Sequence, residues 1–196
     1  MDEGALYGDF AVVAADAAAY AGVLDAALVR AGIPVFLSCP APLDRYEPIK
    51  YIRAAYAVLT GGWKRSDVAA LLKYGMCDIS EDDGDELELY LESWSLEGAA
   101  LSSEKPLKNN VNGYTDKETP VGTARLERVN RTKEALRALL APLVPTVRGT
   151  MTVREHARAL TDFLLRSDMQ KRLAHKAAVL RELGEEGAAG DCSRLW

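Results

Sequence analysis

Between Tyr7 and Leu37 the chain reads YGDFAVVAADAAAYAGVLDAALVRAGIPVFL, and no other stretch limits the possible folds so strongly. Phe10 to Ala14 is a short apolar run bounded by acidic residues, the pattern of a strand covered on both faces of a sheet. Tyr20, Val23, Leu24, Ala27 and Leu28 then recur at helical spacing, which predicts a helix of about four turns closed by Gly32. Ile33 to Leu37 reads as a second strand. Strand, crossover helix and strand make one parallel pair, and such a pair needs further strands beside it to be stable. The rest of the sequence offers none, which points to a piece of something larger. The expected fold class is therefore mainly α: a helical domain with a small N-terminal β-α-β element, divided into residues 1–43 and 44–196.

Everything after Pro40 and Pro42 reads as helices and loops. Asp44 is a candidate N-cap for a helix with Pro48 in its first turn and Tyr46, Ile49, Ile52, Tyr56 and Leu59 as its apolar stripe, ended by Gly61-Gly62. Ser66 would cap a shorter helix that turns Val68, Leu71 and Leu72 inward and closes near Gly75, the two packing as a hairpin. Asp78 to Glu97 holds nine acidic and no basic residues. Reading Gly84 as the glycine of a calcium loop puts Ile79 and Tyr90 at ligand positions, so that assignment fails. Leu87, Tyr90, Leu91 and Trp94 instead keep helical spacing, with Asp82, Asp83 and Asp85 at the end where the helix dipole favours negative charge.

Residues 99–120 lack periodicity and are rich in Asn, Gly and Pro, which predicts a mobile surface loop. A long helix follows from about Val121 to Leu143, with Leu126, Val129, Leu136, Leu140 and Leu143 inward and Pro142 and Pro145 ending it. Thr152 to Glu155 forms a capping box for a helix whose inner positions are Ala157, Leu160, Phe163 and Leu164. Asp168 starts a last helix carrying Leu173, Val179, Leu180 and Leu183. The tail from Glu185 shows little periodicity, and its final Leu195-Trp196 pair suggests a natural chain that continues.

Charge is divided between the halves. Residues 1–100 carry 7 basic against 17 acidic residues and residues 101–196 carry 17 against 12, while Arg125 to Arg181 alone holds 13 against 5. Such a gradient organises contact with a polyanion or an acidic partner; a solvated helical face is the plain alternative. The candidate binding residues are Arg125, Arg128, Arg131, Arg137, Lys171, Arg172 and Lys176, since arginines at helical spacing with few interleaved aromatics suit phosphate contact better than base stacking.

Catalytic groups are scarce. There is no GxxxxGK[ST] phosphate loop and no GxGxxG fingerprint, so no nucleotide cofactor is expected. His156 and His175 sit on separate predicted helices without a nucleophile or metal pattern, and Cys39, Cys77 and Cys192 lack metal-ligand spacing and read as buried free thiols. No apolar run reaches the roughly 18 residues of a membrane span and the MDEG start lacks a basic signal region, so the expected location is cytoplasmic.

The segment EGALYGDFAVVAAD with YAGVLDAALVRAGIPVFL resembles the opening of the second motor lobe of UvrD-type superfamily 1 helicases. With the continuations YEPIKYI, DVAALLKYGM and ELELYL, it is more closely similar to the AddB-type subunit of AddAB-type ATP-dependent helicase/deoxyribonucleases. This resemblance implies that residues 1–43 begin a second lobe and that residues 44–196 are its helical insertion. It also implies a role in double-strand break repair and recombination, with contacts to DNA and to a partner helicase–nuclease subunit. Active motors of this type place a phosphate-contacting arginine where this chain has Gly22, and a subunit that scaffolds and scans DNA fits that glycine better than a motor does. A free-standing helical adaptor for protein partners stays as the second reading.

Overall fold

The computed structural model describes residues 6–38, 46–114 and 119–195. The chain divides into two units, Met1–Arg45 and Tyr46–Trp196.

In the first unit the expected β-α-β element is not formed. Residues 10–14 and 33–37 carry no regular secondary structure, and there is no strand among the described residues. The physical reason lies in the shortage of strands: two extended segments without neighbours cannot satisfy a ladder or cover two apolar faces. Val13 and Phe36 are accordingly 93% and 90% exposed. The expected four-turn helix is also shorter. Asp16 accepts the Ala18 and Ala19 amides at 3.1 and 3.3 Å and winds Ala17–Tyr20 into a 3₁₀ turn. Gly22 then takes φ +85°, a conformation that interrupts a right-handed helix, so helix α1 covers only Leu24–Arg30. It closes at Gly32 as expected, with the Ile33 amide reaching back to the Leu28 carbonyl at 2.9 Å.

The second unit is mainly helical, in agreement with the sequence. Helix α2 (Glu47–Thr60) starts with Pro48 in its first turn, where a missing N–H costs nothing, and pairs with α3 (Arg65–Lys73) as a hairpin. The inward face of α2 is rotated from the expected stripe. Pro48, Tyr51, Ala55 and Val58 are buried, whereas Ile49, Ile52, Tyr56 and Leu59 are only partly covered. The Tyr51 ring decides this orientation by stacking on Phe163 at 5.3 Å and meeting the edge of Tyr74 at 6.3 Å. Ser66 does not cap α3; Lys64 stands at the N-cap without a side-chain hydrogen bond.

Helix α4 (Glu81–Ser93) is capped by the Ser80 hydroxyl, which accepts the Asp83 amide, and it buries Leu87, Tyr90 and Leu91 against its neighbours α3 and α6. A single-turn helix α5 (Ala99–Ser102) follows. The described part of the loop after it is anchored rather than loose. Asn130 donates to and accepts from the backbone of Leu107, while the Tyr90 hydroxyl and Trp94 indole donate to the carbonyls of Asn109 and Asn110 at 3.0 and 3.1 Å.

Helix α6 (Pro120–Leu140) is the longest element and runs through the core with Val129, Leu136, Leu139 and Leu140 buried. Fully covering an aliphatic side chain of that size contributes roughly 1.5–3 kcal/mol. A 3₁₀ turn at Ala141–Leu143 and the short α7 (Val144–Arg148) end the run. The expected capping box is present: the Thr152 hydroxyl accepts the Glu155 amide at 3.3 Å and the Glu155 carboxylate accepts the Thr152 amide at 2.7 Å, opening α8 (Val153–Arg166). Helix α9 (Met169–Glu182) packs on α8 and then on α10 (Glu186–Arg194), so most of the segment read as an irregular tail is helical. Ala189 and Cys192 of α10 are buried against Ala177, a contact between small side chains that carries too little hydrophobicity to show as a stripe.

Candidate nucleic-acid interface

The seven candidate cations occupy two helices and fall into two environments. On α6, Arg125 and Arg128 are one turn apart and point at α4, where Glu86 is one turn after Asp83. Arg125 donates through Nε and Nη2 to Glu86 Oε1 at 2.8 and 2.7 Å, and Arg128 Nη2 donates to Oε2 at 2.8 Å. Arg128 Nε also lies 3.2 Å from Asp83 Oδ1. The side chain of Glu86 is only 12% exposed, so its charge depends on these two guanidinium groups. Arg137 turns elsewhere: it donates to the Ser102 carbonyl at 3.1 Å and to Glu134 at 2.6 Å, fastening the end of α5. Arg131 is exposed and makes no ion pair with any described residue.

The sequence offered these arginines as a row of phosphate-contacting cations, yet three of the four spend donors on the protein itself. The signal that could have found the clamp is the matched spacing, acids at 83 and 86 on one helix and arginines at 125 and 128 on another. Lys133, counted among the basic residues, is fully buried and donates to the Lys105 carbonyl beneath the 103–111 loop. Burial pushes its ammonium pKa down, against the opposing pull of the Glu134 charge.

On α9, Lys171, Arg172 and Lys176 line a cleft of about 410 Å³ together with His175, Tyr74, Met76, Glu47 and Asp168. The cleft is built by a hook between helix ends, in which the Asp168 amide donates to the Met76 carbonyl at 3.1 Å. Buried Met76 and Leu173 close its floor. Lys171 and Arg172 stand 3.0 and 3.8 Å from the Asp168 carboxylate, and Lys176 donates to Glu47 at 2.9 Å. The hydrogen bond from Lys171 to Asp168 raises the lysine's pKa. Behind this corner the buried Tyr51 hydroxyl has no hydrogen-bond partner among the described residues, and burial drives its pKa up. The thiol of Cys77 is likewise buried and raised. Asp168, His175 and Tyr74 were missed as site residues because only the fold brings α9 against the end of α3.

No group of His, Cys, Asp and Glu among the described residues has the arrangement of a metal site, and no described helix is long and apolar enough to cross a membrane. Fold and surface together define a helical domain with an internal arginine–carboxylate clamp and a basic surface cleft.

No protein-family model matches the chain. Along its entire length, however, it is similar to proteins named as the B-type subunit of an ATP-dependent helicase/deoxyribonuclease. It is 22% identical over 195 residues to the one from Clostridium botulinum (strain Loch Maree / Type A3), 24% over 198 residues to that of Pelotomaculum thermopropionicum, and 24% over 197 residues to that of Thermoanaerobacter sp. (strain X514). In each case the match covers 100% of this chain and 17% of the relative. The chain is thus a distant homologue of about one sixth of these helicase/deoxyribonuclease subunits.

Proposed function

We propose that this chain is a non-catalytic portion of the AddB-type subunit of a UvrD-like, AddAB-type ATP-dependent helicase–nuclease acting in cytoplasmic double-strand break repair and recombination. Residues 1–43 begin its second lobe and residues 44–196 form the helical insertion. There the chain contributes DNA-backbone contacts and a scaffold for the partner subunit, and it binds no cofactor of its own. The observation that carries this reading is the end-to-end similarity to proteins named as a helicase/deoxyribonuclease subunit. The excess of basic residues between Arg125 and Arg181 supports contact with a polyanion.

Backbone contact predicts modest, sequence-insensitive DNA binding with a strong salt dependence, because each neutralised phosphate adds about 0.9 to the slope of log affinity against log salt. With three or four contacts, the purified chain loses roughly 40-fold to 150-fold in duplex oligonucleotide affinity between about 50 and 200 mM salt, read by fluorescence anisotropy. Salt-independent binding, or a preference for one sequence over others of equal length, would count against it. Absence of DNA binding leaves the helical adaptor for protein partners as the reading.

A further inference from the structure

We propose that the α9 cleft is a phosphate-binding site, and that it, rather than the α6 arginine row, makes the DNA-backbone contact. This rests on the DNA reading above and assigns it to one of two cationic groups. The first ground is the availability of donors. Arg125 and Arg128 are committed to Glu86 at 2.7–2.8 Å, whereas Arg172 is held by Asp168 only at 3.8 Å, beyond hydrogen-bonding distance. Its guanidinium keeps a fork of donors that matches two phosphate oxygens.

The second ground is position. Gly75 has φ +59°, and Arg172 Nη1 lies 3.4 Å from where a β-carbon would stand, so the absent side chain leaves room for the guanidinium where Arg172 borders both the α9 cleft and the cleft that Gly75 lines. Lys176 and Glu47 are both about half exposed, and a surface pair of this kind exchanges readily for a phosphate. The third ground is asymmetry. Arg172 also borders a second cleft of about 460 Å³ lined by Glu81, Asp85 and Glu88 with Lys73 as its other cation. That cleft sets three acids against two cations, whereas the α9 cleft sets Lys171, Arg172 and Lys176 against Glu47 and Asp168, and the balance of charge favours an anion on the α9 side.

The phosphate can come from a DNA strand or from a free nucleotide, and the two are separable with the 196-residue chain. One variant removes α9 charge, Arg172→Gln with Lys176→Gln; a second removes free α6 charge, Arg131→Gln. A third, Arg125→Gln, opens the clamp and is read only where circular dichroism shows an intact helical signal. The expected result is about a tenfold loss of oligonucleotide affinity and a salt slope lower by about 1–2 for the α9 variant, with the α6 variants within about twofold of the parent. Loss in the α6 variants with the α9 variant unchanged overturns the assignment while leaving the DNA reading standing. Should the parent bind no oligonucleotide, the DNA reading falls alone. The cleft is then judged by NMR titration of the same chain with inorganic phosphate and adenosine monophosphate. Shifts of the Arg172 Nε and His175 ring signals in the parent, with the His175 shift lost in the α9 variant, support a free-phosphate site, and no shift at millimolar ligand overturns it.

Discussion

Replacing Glu86 by alanine tests whether the α4–α6 contact is a structural clamp. The carboxylate receives three short donor contacts from two arginines, and its side chain is 12% exposed. Charge-assisted hydrogen bonds contribute about 1.5–3 kcal/mol each, and removing one partner of a fully buried pair costs about 3–5 kcal/mol. The arginine side chains are 41% and 39% exposed, so water recovers much of their solvation once Glu86 is gone. Discounted for that screening, the expected loss is about 2 kcal/mol. In a domain of this size such a loss lowers Tm by about 4–8 °C. Urea unfolding followed by circular dichroism reads the free energy directly, and a double-mutant cycle of Glu86→Ala with Arg125→Ala should return a coupling of about 1 kcal/mol. A loss below about 0.5 kcal/mol, the range of ordinary surface substitutions, refutes the clamp and returns these arginines to a solvated face.

Two further expectations concern titration and capping. Lys133 has a folded-state pKa lowered by burial, so between that value and the ordinary 10.5 the unfolded chain binds more protons; stability then rises with pH through this window, and Lys133→Met flattens the rise seen in urea melts at successive pH values. Glu155, whose pKa is lowered chiefly by the Thr152 amide and then by its hydroxyl, contributes stability that is present above the ordinary glutamate value of 4.5 and lost as pH falls through its own lower midpoint. Carbon-13 titration of its carboxyl checks the midpoint, and Thr152→Ala should cost about 1 kcal/mol and move that midpoint back toward 4.5.

Local chemistry was enough to place most of the longer helices, though not α10. Pro48 in a first turn, the Thr152–Glu155 box and the 3.6-residue recurrence of Val129, Leu136 and Leu140 each act within one or a few turns, so they can be read without knowing the fold. The division of charge was equally open to the sequence, because it is a property of composition. Tertiary structure decided what those elements face. Residues 10–14 and 33–37 carry the pattern of strands, but a strand exists only through its neighbours, and none pairs with them among the described residues. The register of α2 was settled by Tyr51 stacking on Phe163, a partner 112 residues further along the chain. Arg125 and Arg128 read as candidate phosphate contacts in the sequence, but α4 brings Glu86 against them, whereas Arg172 gained its place at a cleft from the hook between Asp168 and Met76. Helical periodicity reports which side chains share a face, and long-range packing alone determines whether that face meets a carboxylate, a core or water.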